Sequence, residues 1–355
     1  MKIIKKLIDY FTLGLKTIST SPIFLMTIST ISLILISIVA YRAINLRNKV
    51  DTIEEDLETK LETAVEINYP DYTITSKEGA AYLSECLKAP LTENELSDKL
   101  LNIKTELENL FNESNYNFAF KYKDLYTGFT LSYNSAQPIF AASTIKAPEA
   151  IYIYEEAEKG NINLNDTITY TSNYYSEGTG ILKNTSFNVE YPISKLVEYS
   201  IIHSDNAAHL MLNNKYQTTN MYNYWSNLGT TAIFKQNSAL GNINADDATI
   251  YMEELYNYYI SENQYSEELL SYFDKSWKII STPNDDLRIA SKSGWSGNSL
   301  HDTALIFDKN PYTLAILTQR GYTSYQSFFD KVSTLIYNFH EEYWNQKSNI
   351  CHIQT

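Results

Sequence analysis

Ser143 and Lys146 are the residues of this chain whose types and spacing best suit nucleophilic chemistry. When two residues lie three positions apart on a helix, their side chains share one face, one turn apart. A serine hydroxyl is a poor nucleophile until a base removes its proton, and a lysine with a lowered pKa is such a base. If the helix begins near Ser143, its amides add a partial positive charge beside the serine oxygen. For an isolated S-x-x-K pair, a capping serine followed by an exposed lysine is the ordinary alternative.

Two further polar motifs follow in order. Ser204-Asp205-Asn206 ends a run whose apolar residues recur at helix spacing, and Lys292-Ser293-Gly294 lies in a strand-like run that ends at Trp295. Together they supply hydroxyls, an amide and a second cation, which an acyl-transfer site needs around its nucleophile. We therefore expect the three motifs to converge on one site.

The order S-x-x-K, S-D-N and K-[TS]-G is the signature set of penicillin-recognising serine enzymes. On these motifs the chain resembles the class A β-lactamase family and its penicillin-binding relatives, over roughly residues 107–339. The resemblance implies an α+β fold with a three-layer α/β/α-like arrangement. It also implies a five-stranded antiparallel sheet covered by terminal helices, an all-helical lobe, and an active site between the two.

The resemblance also implies a role for each motif residue. Ser143 would be the acylated nucleophile and Lys146 the acceptor of its proton. Ser204 would relay a proton to the leaving nitrogen, and Asn206 would hold the substrate amide. The other implied roles are contacts of Lys292 and Ser293 with the substrate carboxylate, room for substrate at Gly294, and an oxyanion hole formed by the backbone amides of Ser143 and Trp295.

One residue of the family pattern is missing. Class A β-lactamases carry a glutamate on a loop after the second motif, which activates the water that frees the acyl-enzyme. This chain has no Glu between Glu198 and Glu253, and residues 234–244, the corresponding loop, contain no acid. Asp246 and Asp247 follow, but their position is typical of a helix cap. The sequence therefore predicts intact acylation and impaired deacylation.

Hydrophobic periodicity predicts the elements that position these motifs. A catalytic domain is predicted at 92–347, starting with a capping box at 92–95 and an amphipathic helix. The remaining elements are a hairpin at 118–133, a mostly helical region from 143 to about 280, strands at 287–295, 303–308 and 312–318, and a last amphipathic helix.

The composition of the chain limits the kinds of molecule that it is expected to bind. The net charge of −14 argues against nucleic acid, which needs a basic surface. The spacing of the five histidines predicts no metal site, and no cofactor is expected. His203 is expected to pack within its helix. Cys86 and Cys351 flank the domain and can pair only if its two ends meet, which is the less favoured alternative.

The N-terminal part of the chain predicts a membrane anchor. Residues 1–16 carry four lysines and one acid, and residues 17–41 contain no charge. Such a run is long enough to cross a hydrocarbon core of about 30 Å as a helix. The lysines before it and the acids after it predict an uncleaved signal anchor with its N-terminus inside, a cleaved signal peptide being the alternative. Residues 42–66 are predicted to form a helical stalk and 67–91 a linker, so that the catalytic domain lies outside the cell membrane.

These patterns leave three hypotheses about function. The first is a membrane-anchored serine hydrolase that β-lactams acylate at Ser143 and that hydrolyses them slowly. The missing glutamate favours a second, a D-alanyl-D-alanine peptidase or penicillin-binding protein acting on peptidoglycan peptide. The third is a slow β-lactam-binding sensor, against which the complete motifs argue. The sequence does not predict the oligomeric state.

Overall fold

The structure is a computed structural model that describes residues 85–113, 117–217, 219–234, 241–319 and 326–353. The predicted tail, membrane anchor and stalk, residues 1–16, 17–41 and 42–66, lie outside the described residues, as does the linker up to residue 84. Within the described ranges, no helix is both long and apolar enough to cross a membrane. The bounds predicted for the catalytic domain stay a prediction.

A five-stranded sheet organises the described part of the chain, and every neighbouring pair in it is antiparallel, as predicted. In the order of the sheet, its strands are β2 (Thr130–Tyr133), β1 (Phe118–Asp124), β9 (Tyr312–Thr318), β8 (Ser299–Phe307) and β7 (Arg288–Ser296). β8 begins four residues before its predicted start because residues 297–298 form a tight turn that pairs Ser296 with Ser299. β7 lies at the edge of the sheet, so one side of its backbone has no strand partner.

Alternation along β1 assigns the two faces of the sheet. On one face, Phe120 stacks on Phe111 of helix α1 (Asp98–Asn112) at 4.7 Å between ring centroids, and Phe118 stacks on Phe328 of helix α8 (Gln326–Ile353) at 4.3 Å. On the other face, Lys121 forms an ion pair with Asp246 of helix α6 (Ala245–Ile260). Helices therefore cover both faces, as the three-layer prediction requires.

The region between β2 and β7 is mostly helical, as predicted, and its buried side chains are continuous with the core of the sheet. Its helices are α2 (Lys146–Glu158), α3 (Ile193–Ile202), α4 (Asn206–Tyr216), α5 (Thr219–Asn227), α6 and α7 (Ser266–Asp274). Two small two-stranded sheets brace it: β3 (Ile139–Phe140) with β6 (Asn242–Ile243), and β4 (Thr167–Tyr170) with β5 (Val189–Pro192).

The predicted capping box forms, but it does not start the first α-helix. The side chain of Glu95 accepts from the amide of Thr92, and the two residues bracket a short 3₁₀ turn, Glu93–Glu95. The α-helix α1 begins at Asp98, with Ser97 as its N-cap. The intervening backbone turns at Leu96, so the box caps a turn and not the helix itself.

The two ends of the described chain meet, and Cys86 and Cys351 form a disulfide with Cα atoms 5.8 Å apart. The expectation that the two cysteines stay unpaired is therefore wrong. α8 continues past residue 347 and carries Cys351 back to the start of the unit. Around this junction the Lys347 ammonium donates to the carbonyl oxygens of Cys86 and Ala89, and the Leu91 amide donates to the hydroxyl of Tyr343.

Candidate active site

Ser143 lies at the start of the helical lobe, where the chain leaves β3. A 3₁₀ turn, Ala142–Ile145, carries it, and α2 begins directly afterwards at Lys146. Ala142 has a φ of +48°, a left-handed conformation that is costly for a residue with a Cβ and is often found at functional sites. The turn keeps Ser143 and Lys146 on one face, and the Lys146 ammonium lies 3.1 Å from the Ser143 hydroxyl oxygen.

The Lys146 ammonium connects the first motif with the second. It donates to the carbonyl oxygen of Ser204 at 2.6 Å and to Asn206 Oδ1 at 2.8 Å, and it lies 3.2 Å from the Ser204 hydroxyl oxygen. The Lys146 side chain is 1% exposed. Its position is therefore held by several acceptors at once, all supplied by the Ser204-Asp205-Asn206 segment and Ser143.

Burial lowers the pKa of Lys146 well below its usual value, and the neighbouring positive charge of Lys292 lowers it further. The negative charges of Asp205 and Glu149 act in the opposite direction. A lysine with a lowered pKa is neutral in a larger fraction of molecules, and only the neutral amine accepts a proton. The electrostatics of the site thus suit Lys146 to take the proton of Ser143.

The second motif forms the tight connection between α3 and α4. Ser204 adopts a left-handed φ of +49°, and Asp205 caps α4 by accepting from the Ala208 amide at 3.0 Å. The second carboxylate oxygen of Asp205 accepts from the amides of Ile181 and Leu182. Both carboxylate oxygens of Asp205 are thus engaged with backbone amides and hold the connection in place.

The loop around Thr179 supports the second motif from the other side. The Thr179 hydroxyl donates to the carbonyl oxygen of Ser204 at 2.7 Å, the same atom that accepts from Lys146. The Asn206 side-chain amide donates to the carbonyl oxygen of Glu177 at 3.2 Å. Thr179 is not among the site residues predicted from the motifs; its position between Gly178 and Gly180 was the available signal.

The third motif lies on β7, and its lysine reaches the same serine as Lys146. Lys292 Nζ lies 3.2 Å from the Ser204 hydroxyl oxygen and 2.8 Å from the carbonyl oxygen of Ser293. Burial lowers the pKa of Lys292 to about 8, against the attraction of Asp302. Ser204 therefore lies between two lysines, a position suited to passing a proton.

Ser293 differs in detail from its implied role. Its hydroxyl donates to the carbonyl oxygen of Trp277 at 2.7 Å, so its hydrogen is directed at the protein. To donate to a substrate carboxylate, Ser293 must give up this bond. Trp277 is not among the predicted site residues, because it lies in the irregular segment before β7 and shares no motif with Ser293.

Gly294 and Trp295 follow on the same strand, which packs against the 3₁₀ turn of Ser143. A cleft of about 240 Å³ opens here, and two half-exposed tryptophans, Trp277 (46%) and Trp295 (52%), lie on its wall. The cleft is lined by Ser143, Thr179, Ile201, Ile202, His203, Ser204, Trp277, Lys292, Ser293, Gly294 and Trp295.

The two histidines near the motifs have different positions. His203 is exposed and lines the cleft directly after α3 ends at Ile202, and its ring packs on that of Tyr199 of the same helix, with ring centroids 6.0 Å apart, as expected. His301 is buried, with Nε2 2.8 Å from the carbonyl oxygen of Phe140 and Nδ1 accepting from the amide of Thr318. Burial lowers the pKa of His301 to about 4, and its ring joins the strands behind the site.

Neither acid after the second motif is available as a base near Ser143. Asp246 pairs with Lys121 at 2.7 Å. The carboxylate of Asp247 accepts from the backbone amides of residues 231–233 at 2.7–3.0 Å. Asn244 caps α6 by accepting from the amide of Asp247, so these residues form the helix cap that the sequence predicts. In the ranges that the structure describes, no group of three or more His, Cys, Asp or Glu residues is suited to a metal.

Residues 102–340 match the family described as the beta-lactamase enzyme family, about two thirds of the chain. The chain belongs to the β-lactamase enzyme family. No curated protein matches it. The membership agrees with the three motifs that converge on the cleft and with the order of strands and helices.

Solved structures of other proteins share the fold at low sequence identity. A mutant of PBP-A, solved as its acyl-enzyme complex with penicillin G, is 18% identical, with 68% of this chain and 97% of that chain covered and a TM-score of 0.61. The β-lactamase from Sphaerobacter thermophilus DSM 20745 is also 18% identical, covering 68% and 95%, with a TM-score of 0.56. A mutant of the extended-spectrum β-lactamase TLA-1 is 15% identical, covering 68% and 99%, with a TM-score of 0.60.

Proposed function

We propose that this member of the β-lactamase family is a serine enzyme that β-lactams acylate at Ser143 and that releases the acyl group slowly. The observation that carries the proposal is the contact of Lys146 Nζ with the Ser143 hydroxyl oxygen at 3.1 Å, inside a cluster that also holds Ser204, Asn206 and Lys292. This cluster contains a nucleophile, a base, a relay and a cation for an anionic substrate.

Acylation proceeds by attack of the Ser143 oxygen on the strained lactam carbonyl. Neutral Lys146 takes the hydroxyl proton as the carbon–oxygen bond forms. The carbon–nitrogen bond of the lactam then breaks, and the leaving nitrogen receives a proton through Ser204, which lies within 3.2 Å of both lysines. Lys146 in turn gives a proton to Ser204, so the lysine is neutral again. The product is an ester of Ser143 and the ring-opened lactam.

Deacylation needs a base for the attacking water, and this site supports it poorly. Among the described residues, Asp246 pairs with Lys121 and the Asp247 carboxylate accepts from the amides of residues 231–233. The sequence of the loop 234–244 contains no acid. Loss of general-base assistance costs about 10²–10⁴ in rate. The ester on Ser143 is therefore expected to persist for minutes.

Incubation of the purified domain with a fluorescent penicillin tests both halves of the proposal. We expect one equivalent of label on Ser143, identified by mass spectrometry, and slow loss of that label after unbound penicillin is removed. Ser143→Ala should take up no label, while Ser132→Ala, the same change at an exposed position of β2, should label normally. Label on another residue would contradict the assignment of the nucleophile. Rapid turnover of a chromogenic cephalosporin, above roughly 10 s⁻¹, would contradict slow release.

A second candidate is a D-alanyl-D-alanine peptidase or penicillin-binding protein that acts on peptidoglycan peptide. The engaged positions of Asp246 and Asp247 favour it, because such an enzyme passes its acyl group without a dedicated water-activating glutamate. A mutant of PBP-A, a neighbour in fold, was solved as an acyl-enzyme complex with penicillin G. Release of D-alanine from a pentapeptide, together with a long-lived penicillin adduct, would select this candidate. A label without turnover of either substrate would instead support a sensor.

We also propose that the protein is a single-pass protein of the cell membrane with its catalytic unit outside. The uncharged run at 17–41 supports this, with the lysines that precede it. The disulfide between Cys86 and Cys351 gives independent support, because such bonds persist in oxidising compartments outside the cytoplasm. Deletion of residues 17–41 should move the protein from the detergent-extractable membrane fraction to the soluble one. Full-length protein in the soluble fraction would contradict the anchor.

A further inference from the structure

A buried acid–histidine pair lies next to the active lysine and has no part in the acylation steps above. Glu149 Oε2 lies 2.8 Å from His209 Nδ1, and both side chains are at most 2% exposed. Burial of an ionisable group lowers the stability of the fold unless the group has a partner, and Glu149 and His209 are each other's partner.

The pair repeats, one helical turn further on, the contact that holds Lys146. Glu149 follows Lys146 by three residues on α2, and His209 follows Asn206 by three residues on α4. Because residues three apart share a helix face, two polar contacts join α2 to α4 in register. These are Lys146 with Asn206 and Glu149 with His209, each at 2.8 Å.

His209 contacts only one of the two carboxylate oxygens of Glu149. The second oxygen, Oε1, is buried and has no hydrogen-bond partner among the described residues. The negative charge of Glu149 raises the pKa of Lys146, as that of Asp205 does, against the larger lowering by burial and by Lys292.

We propose that Glu149, held in place by His209, is a positioning residue that orients and electrostatically biases Lys146. The pair fixes α2 against α4 at the level of the site, and the carboxylate favours the protonated form of the lysine. Together with Asp205, Glu149 therefore raises the lowest pH at which Lys146 accepts the Ser143 proton. The inference rests on the proposed function, because acylation of Ser143 is its readout.

Charged groups on the other elements packed against α2 are either part of the site or engaged with other partners, and α5 carries no charged residue. Those of the site are Asp205 before α4 and Lys292 on β7. On α3, Glu198 pairs with Lys195, and on α4 the Lys215 ammonium lies over the ring of Tyr216. On α6 and α7, the acids Asp246, Asp247, Glu253, Glu254, Glu267, Glu268 and Asp274 contact, in that order, Lys121, the amides of residues 231–233, Lys123, Tyr224, Arg288, the hydroxyls of Tyr154 and Tyr272, and Arg288.

The test is the pH profile of acylation in Glu149→Gln, which keeps the size of the side chain and removes its charge. Without the carboxylate, Lys146 loses its proton at lower pH, so the acid limb of the profile should move down by about one pH unit. On that limb, acylation relative to its plateau should then be about tenfold faster than in the wild type. Glu158→Gln, the same change at an exposed position of the same helix, is the control and should not move the limb.

Two changes at His209 separate charge from packing. His209→Leu removes the side chain that holds the Glu149 carboxylate in place, so the acid limb should move in the same direction as in Glu149→Gln. His209→Gln keeps a donor for Glu149 and should leave the limb unchanged. A merely structural pair would lower the melting temperature of all three variants without moving the limb.

The outcomes also separate the inference from the proposed function. A folded Glu149→Gln variant whose acid limb stays within about 0.3 pH unit of the wild type would overturn the positioning role. If Glu149→Gln does not fold, an unshifted limb in His209→Leu would overturn it equally. A wild-type protein that takes up no label would contradict the proposed function, and the inference with it.

Discussion

Gly294 and Ser143 approach each other so closely that a Cβ on Gly294 would lie 2.7 Å from the backbone nitrogen of Ser143. The amide nitrogen of Thr144 would be 2.8 Å away and the carbonyl oxygen of Ala141 3.2 Å. These are backbone atoms, which cannot move aside as a flexible side chain can. The edge strand β7 and the 3₁₀ turn of the nucleophile can therefore touch only because the residue at 294 has no side chain.

Gly294→Ala should therefore displace the nucleophile turn from β7. A misplacement of about 1 Å costs on the order of a hundredfold in rate, so acylation by penicillin should fall by about that factor while the fold survives. Gly297→Ala is the matched control, since no atom lies within 4 Å of a Cβ there. Acylation at the wild-type rate in a folded Gly294→Ala protein would show that the strand and the turn adjust freely.

Lys146→Arg distinguishes a proton acceptor from a fixed positive charge. Arginine keeps the charge but stays protonated at every accessible pH, so it cannot take the Ser143 proton. Both Lys146→Arg and Lys146→Ala should slow acylation by about 10²–10⁴-fold, the usual range for a general base. Lys195→Arg, at a surface pair on α3, should label normally. Stopped-flow labelling with a fluorescent penicillin measures the rates, and near-normal acylation of Lys146→Arg would assign the base elsewhere.

Loss of the proton of Lys292 should cause the decline of the acylation rate at high pH. Its pKa is lowered to about 8 by burial, so the side chain is charged below that pH and neutral above it. Because a substrate carboxylate is attracted only by the charged form, the second-order rate of acylation should fall as the pH rises through about 8. Lys292→Arg should remove this decline, since arginine keeps its charge. An unchanged alkaline limb in a Lys292→Arg protein that still labels would assign the limb to another group.

The site could be predicted because its chemistry depends on residue type and short-range spacing. Helix periodicity relates Ser143 to Lys146, and the order of the later motifs points to Ser204, Asn206 and Lys292. The structure places Lys146 Nζ within hydrogen-bonding distance of the side chains of Ser143, Ser204 and Asn206. Lys292 Nζ lies within that distance of the Ser204 hydroxyl oxygen. The strands were predictable for the same reason, since their alternation is local. β8 was predicted too short because the turn before it has no apolar alternation.

Contacts between distant segments could not be predicted in this way. The Cys86–Cys351 disulfide joins residues 265 positions apart, and only the extra length of α8 brings them together. Glu149 and His209 are 60 positions apart, and their pairing follows from the packing of α2 on α4. His203 follows a helical pattern, but the helix ends before it. Each of these depends on tertiary packing, which periodicity does not encode.

Removal of the disulfide should lower stability without changing the cleft. Cys86→Ser combined with Cys351→Ser opens a long loop in the unfolded chain, which typically costs about 2–4 kcal/mol in the free energy of unfolding. Chemical denaturation measures this change, and acylation of Ser143 should stay at the wild-type rate. Reductant should destabilise the wild type by a similar amount and leave the double variant unchanged. Equal stability of the two proteins without reductant would show that the bond contributes nothing.

The same disulfide closes residues 86–351 into one covalent ring. A single cut inside the ring, for example at the exposed turn of residues 158–161, opens the ring but leaves both pieces joined to the chain before Cys86. A protease that cuts there once therefore cannot shed a fragment, and the pieces would separate on a denaturing gel only after reduction. Release of the whole unit requires a cut upstream of residue 86. If the chain is tethered at its N-terminal end, a damaged enzyme stays where the intact one was.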